Sequence, residues 1–202
     1  VAAVHIGGGG FSVASWLTAT RPGSNNVVLE LDGALVEFVE DRFDPAPVDR
    51  TIIGDARVSL AGAGTGFDVA VGDAFGGLAV PWHLTTAEFF EEIAASLDDQ
   101  GFYIMNLIDH GTFDFLRAEL ATAQQVFPHV AVVTLPERFD IGGNFMLVAS
   151  KRPIPGDRII AEALELGLDV TSLAGTGLTA FIDGASMLTD DFAPVDQLLT
   201  SS

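Results

Sequence analysis

Asp73 ends an apolar run, Phe67-Asp68-Val69-Ala70-Val71-Gly72-Asp73, and a carboxylate at a strand's carboxyl end can take a proton from a nucleophile or hold a cation. Upstream stands Gly7-Gly8-Gly9-Gly10, directly after the apolar Val1–Ile6. Four residues without side chains let backbone amides approach a ligand closely. Glu30 ends the next apolar run, 20 residues beyond Gly10. A carboxylate there can accept both hydroxyls of a ribose laid across the strand ends. Gly54-Asp55-Ala56 follows a third run, and Asp55 can either accept an adenine amino group or cap the helix that begins at Ala56. The spacing Gly7-x-Gly9-x-x-Ser12 departs from the dinucleotide fingerprint, because Ser12 stands where a third glycine belongs. Asp32 and Asp68 are placed for structural work rather than for a ligand.

These residues need a scaffold that brings four chain segments to one edge, and the apolar pattern supplies it. Strands are expected over Val1–Ile6, Val27–Leu31, Thr51–Ile53, Phe67–Val71, Phe102–Ile108, Val130–Leu135 and Asn144–Ser150. Helices are expected over Phe11–Ala19, Ala34–Asp41, after Asp55, from a Thr85 or Thr86 cap to Leu97, over Thr112–Gln125 and over Ile159–Leu166. Strand-helix alternation with nearly continuous apolar strands describes a mostly parallel sheet covered on both faces. The connection between the sixth and seventh strands is too short for a helical crossover, so the last strand should run antiparallel. The expected fold is therefore α/β, Rossmann-like, of the class I methyltransferase type, with a seven-stranded sheet. Residues 1–152 form the ligand-binding domain, and 153–202 form a C-terminal helix and tail packed on it.

Composition narrows the partners. The 202 residues are 49% hydrophobic, enough for one sizeable core. With 28 acids against 9 bases, the formal charge is −19. Such a field repels nucleic acid and anionic membrane surfaces and attracts cations, although acidity also serves solubility alone. There is no cysteine, which excludes disulfides and thiolate metal sites and fits a cytoplasmic home. No apolar run approaches the roughly 20 residues of a spanning helix, and no signal peptide is expected. The first strand starts at the first residue, which points to a segment once preceding it.

The stretch from Val4 to Phe90 resembles the spermidine synthase (polyamine aminopropyltransferase) family, and the likeness extends over residues 1–150. "HIGGGGF" is similar to that family's glycine loop, "LELD" to its ribose-binding acid motif at Glu30, and "GDA" to its adenine-site acid at Asp55. "FDVAVGDAF" followed by "LTTAEFF" is similar to its catalytic strand and the helix after it. The resemblance implies aminopropyl transfer from decarboxylated S-adenosylmethionine to a diamine such as putrescine, with no metal and with a homodimer as the assembly. It implies cofactor contacts from Gly7, Gly8, Gly9, Gly10, Glu30, Asp55, Ala56 and Asp73, with Asp73 as general base. It also places Asn106 where the family has a glutamine near the acceptor, while Asp109 either holds an acceptor amine or is a loop acid next to Gly111. Three departures stand beside it. Gly10 occupies the place of an acid that holds the cofactor's amine, Gly76 that of a second acid in the catalytic segment, and the family's N-terminal β-domain has no counterpart in this chain.

Other residues divide between two readings. Trp82 and His83 in "VPWHLTT" either line the acceptor pocket or cap structure. Asp190-Asp191 is either an ordered turn beside the cleft or a solvated acidic turn. His5 is expected to be packed inside its strand, His129 to be surface, and Phe89 and Phe90 to be core. His110 has no second histidine at ligand spacing. Two further functions stay open: methyl transfer from S-adenosylmethionine, and nucleoside binding without catalysis on a degenerate synthase fold. An NAD-linked oxidoreductase is disfavoured by Ser12 and Asp55.

Overall fold

The structure is a computed structural model that describes residues 1–77 and 79–199. Strands β1 (Ala2–Ile6), β2 (Asn25–Glu30), β3 (Arg50–Ile53), β4 (Phe67–Gly72) and β5 (Leu97–Asp109) are all parallel. Helices α1 (Ser12–Thr20), α2 (Gly33–Phe43), α3 (Ala56–Ala63) and α4 (Ala87–Ser96) connect them. After β5 come α5 (Asp114–Val126), β6 (His129–Thr134), the short α6 (Arg138–Ile141) and β7 (Gly143–Ser150). The strand order is β3-β2-β1-β4-β5-β7-β6, with β7 antiparallel to both neighbours as its short connection requires.

The sheet departs from expectation in one respect: it has eight strands. The tail contributes α7 (Gly156–Glu165), β8 (Thr171–Ala174), α8 (Gly175–Phe181) and α9 (Val195–Leu199), and β8 pairs antiparallel with β6. Four residues, Thr-Ser-Leu-Ala, at a sheet edge carry little hydrophobic periodicity, so the pairing had no local signal.

Two cores hold the layers. The larger packs α3, α4 and α5 on one face, around Phe89, Phe90, Tyr103, Phe115 and Phe127. The smaller packs α1 and α2 on the other through Phe11, Ala14, Val36 and Val39 against Val28. Helix starts follow local chemistry. Asp32 accepts from the Ala34 and Leu35 amides, Asp55 from those of Arg57 and Val58, and Thr86 from that of Phe89. Asp68 receives the Ala2 amide and ties β1 to β4. His5 is buried against Asn26, at 2.9 Å, and burial lowers its pKa. No helix among the described residues is long and apolar enough to cross a membrane.

Candidate functional site

Register brings the site together. Ile6 lies opposite Leu29 and Gly72, and Glu30 opposite Ile53, so four parallel strands end at one level. Ligands in open α/β sheets bind outside these carboxyl ends. The turn after β1 is held tightly: Gly7 donates to Leu29 O, and the Asp73 amide donates to Ile6 O. Gly7 has φ +92°, and a Cβ there would sit 2.6 Å from Asp73 O. A side chain at Gly8 would come within 2.9 Å of Val28 Cγ1. Glycine is therefore demanded at Gly7 by backbone and by contact, and at Gly8 by contact.

Glu30, only 8% exposed, locks this loop from below. Its Oε2 accepts from the Gly8 and Gly9 amides at 2.8 and 3.1 Å, and its Oε1 from the Asp32 amide at 2.9 Å. Three backbone donors fix the carboxylate in place; Oε2 is fully engaged by two of them, and Oε1 keeps capacity for one further donor. Asp55 divides its oxygens. Oδ1 caps α3, while Oδ2 meets His83 Nε2 at 2.8 Å. Asp55 thus caps the helix, as one of its two readings has it, and the residue also lines the cleft beside His83.

A cavity of about 340 Å³ joins these groups. Gly7, Gly9, Glu30, Asp55, Ala56, Asp73 and His83 line it, with Leu29, Leu35, Phe75 and Leu84 as apolar walls. Gly8 and Gly10 line a smaller adjoining hollow that shares Gly7, Gly9 and Asp73 with it. The combination of apolar walls and a few convergent carboxylates suits a nucleoside-sized ligand carrying hydroxyls, an amino group and positive charge.

Asp73 sits just past β4, and its Oδ1 accepts from Asn106 Nδ2 at 2.9 Å. Asn106 is therefore placed on the catalytic candidate. Trp82 and His83 share a 3₁₀ turn, Trp82–Leu84, but face different spaces. His83 enters the main cleft, whereas Trp82 lines a neighbouring cavity of about 300 Å³ with Ala193, Val195 and Asp196. Asp109 stands apart from the cluster. It is 1% exposed, its Oδ1 accepts from the His110 amide and its Oδ2 from the Leu116 amide, and burial raises its pKa. It anchors the start of α5, in keeping with its reading as a loop acid beside Gly111.

Two charged residues beside the site carry no motif. Arg57, on α3, gives Asp190 a bidentate contact at 2.6 and 2.9 Å and also reaches Glu92 and His83 O. Asp190 further accepts from Thr86 Oγ1, and its amide donates to Glu88. The Arg57 guanidinium holds the Asp190 carboxyl below its ordinary range. The tail turn is thus ordered against the wall of the cleft. Arg57 could have been singled out as one of nine bases in an acidic chain, two residues past Asp55. Its partner lies 133 residues away and had no such signal. Among the described residues no group of three or more acids or histidines is arranged to hold a metal ion.

No family model matches the chain. It is 29% identical over 208 residues to the polyamine aminopropyltransferase of Vibrio vulnificus, covering 96% of this chain and 68% of the relative. It is 26% identical to a probable polyamine aminopropyl transferase of Bifidobacterium longum, covering 97% of this chain but 48% of the relative. The chain thus spans about half the length of that second relative. The crystal structure of a probable spermidine synthase from Corynebacterium glutamicum superposes with a TM-score of 0.86 at 28% identity, over 96% of this chain and 74% of that one. In sequence and in fold, the chain is spermidine synthase-like.

Proposed function

We propose that the chain is a transferase that moves an aminopropyl group from decarboxylated S-adenosylmethionine to a diamine such as putrescine. The observation that carries this reading is the cleft in which Glu30, Asp55 and Asp73, from three separate strand ends, line one cavity beside the glycine loop. The relatives named above are aminopropyltransferases, which supports the reaction class.

The residues present fit such a substrate. Glu30 can accept a ribose hydroxyl through Oε1, Asp55 the adenine amino group, and the walls at Leu29, Leu35 and Phe75 the purine faces. The sulfonium supplies a carbon already activated for displacement. The diamine's nitrogen forms the new C–N bond, the C–S bond breaks, and its electron pair leaves with sulfur as methylthioadenosine. What remains for the protein is alignment and proton removal. Asp73 can pair with the amine as an ammonium, orient it, and accept the proton that must leave for the lone pair to attack.

A second reading, methyl transfer from S-adenosylmethionine, is favoured by one feature. Gly10 offers no carboxylate to the far end of the cofactor's arm, so nothing at that position selects against the carboxylated form. Both readings are tested by incubating the chain with each sulfonium and putrescine. Release of methylthioadenosine with formation of spermidine supports aminopropyl transfer. Release of S-adenosylhomocysteine would replace it with methyl transfer, and neither product would set putrescine aside as acceptor.

A further inference from the structure

Asp73 is the first member of a hydrogen-bonded row. Asn106 Nδ2 donates to Asp73 Oδ1 at 2.9 Å, and Asn144 Nδ2 donates to Asn106 Oδ1 at 2.9 Å. The sheet register builds this row. In the antiparallel pair β5–β7, Asn144 lies opposite Ile108 and Asn106 opposite Met146, so the two asparagines are diagonal neighbours on one face. The intervening Leu107 and Phe145 point into the core on the other face.

We infer that Asn144 is a positioning residue for Asp73, acting through the side-chain amide of Asn106. This rests on the reading of Asp73 as the group that meets the substrate amine. A primary amide has a donor end and an acceptor end of nearly equal shape, so whatever grips one end decides what the other presents. Asn144 gives a donor to Asn106 Oδ1, which turns the Asn106 NH2 toward Asp73. The opposite orientation would set a carbonyl oxygen against a carboxylate. With Oδ1 of Asp73 engaged in this way, the carboxylate plane is fixed, and Oδ2 carries no hydrogen bond among the described residues. Asn144 itself is exposed, so its side chain does not fill the core.

The test replaces the donor by its isostere. Asn144→Asp has only acceptors when ionised and draws the Asn106 NH2 toward itself, so the amide reverses. Asn144→Ala removes the grip and leaves the amide held by Asp73 alone. The Asn106 side-chain amide resonances in a ¹H–¹⁵N spectrum report the orientation without any turnover. In the otherwise unchanged chain, Asp73→Asn should shift them. In the Asn144→Asp background the same Asp73→Asn change should leave them in place, and in the Asn144→Ala background it should still shift them. In the turnover assay, Asn144→Asp should lower kcat about tenfold or more, the scale of a lost hydrogen bond to a charged group, while methylthioadenosine affinity stays unchanged. If Asp73→Asn shifts the Asn106 resonances equally in both backgrounds, the inference is overturned. If the resonances behave as stated but the unmodified chain releases no methylthioadenosine, the positioning holds and the proposed reaction falls.

Discussion

Glu30 is a scaffold side chain that also lines the cleft, where we propose that it binds a ribose. It is fixed by three backbone amides before any ligand arrives, so little ordering is left to do on binding. Glu30→Gln would set an amide NH2 against at least one of those donors and remove the charge that faces a ribose. We expect methylthioadenosine affinity to fall about 10- to 100-fold, read by calorimetry, with the melting temperature followed alongside. Asp73→Asn should abolish turnover and spare nucleoside binding; unchanged turnover would remove Asp73 as the base. A third residue matters to stability. Glu119 on α5 is fully buried and neither carboxyl oxygen has a partner, so burial drives its pKa well up. The unfolded chain releases this proton near pH 4.3, while the folded chain holds it to higher pH. Stability contributed by this residue is therefore lost as pH rises above the unfolded value, by about 1.4 kcal/mol per pH unit until the folded value is reached. Glu119→Gln should match the parent near pH 4 in urea unfolding and become the more stable protein toward neutral pH. The glycine loop, Glu30, Asp55 and Asp73 were readable because each follows an apolar run at a strand end. Glu119 was not, since an acid within the amphipathic α5 pattern reads as solvent-facing until packing is known.

Between elements, the tail turn, α3 and α4 form a clasp around one wall of the cleft. Leu188 is fully buried, its amide donates to Thr122 Oγ1, and its carbonyl accepts from the Ala87 amide. Two residues on, Asp190 closes the clasp on Arg57 and Thr86. Arg57 also holds His83 O, and His83 meets Asp55, so the clasp reaches the proposed adenine site. Asp190→Asn should therefore weaken methylthioadenosine binding severalfold while costing at most about 1 kcal/mol in stability, since the pair is partly open to solvent. A double-mutant cycle with Arg57→Met should show the two changes to be coupled, and strictly additive effects would contradict the clasp. Helix and strand positions up to β7, apart from the short α6, followed from periodicity, caps and glycines. β5 runs longer than its apolar pattern because Leu97 pairs with Phe67 before a register shift. The clasp and β8 depend on pairings distant in sequence, for which local pattern carries no information.

For the whole molecule, the charge of −19 acts on any cationic substrate before contact. Raising ionic strength from about 0.01 M to 0.5 M should lower kcat/KM for a diamine severalfold while leaving affinity for neutral methylthioadenosine nearly unchanged. A salt-independent kcat/KM would show that the acidity serves solubility alone. The topology, five parallel strands followed by a reversed β7, places the strand ends that carry the candidate site side by side on one edge. The alternation of apolar strands and helices made that much legible. Loop and tail side chains had no such pattern; among them Trp82 and Asp196 border a second cavity. The account stands on the cleft as an adenosyl site, and calorimetric titration of the chain with methylthioadenosine, beside the Glu30→Gln variant and beside NAD, tests it most directly. The account predicts saturable one-to-one binding of methylthioadenosine that Glu30→Gln weakens at least tenfold; no binding, or binding of NAD alone, would contradict it.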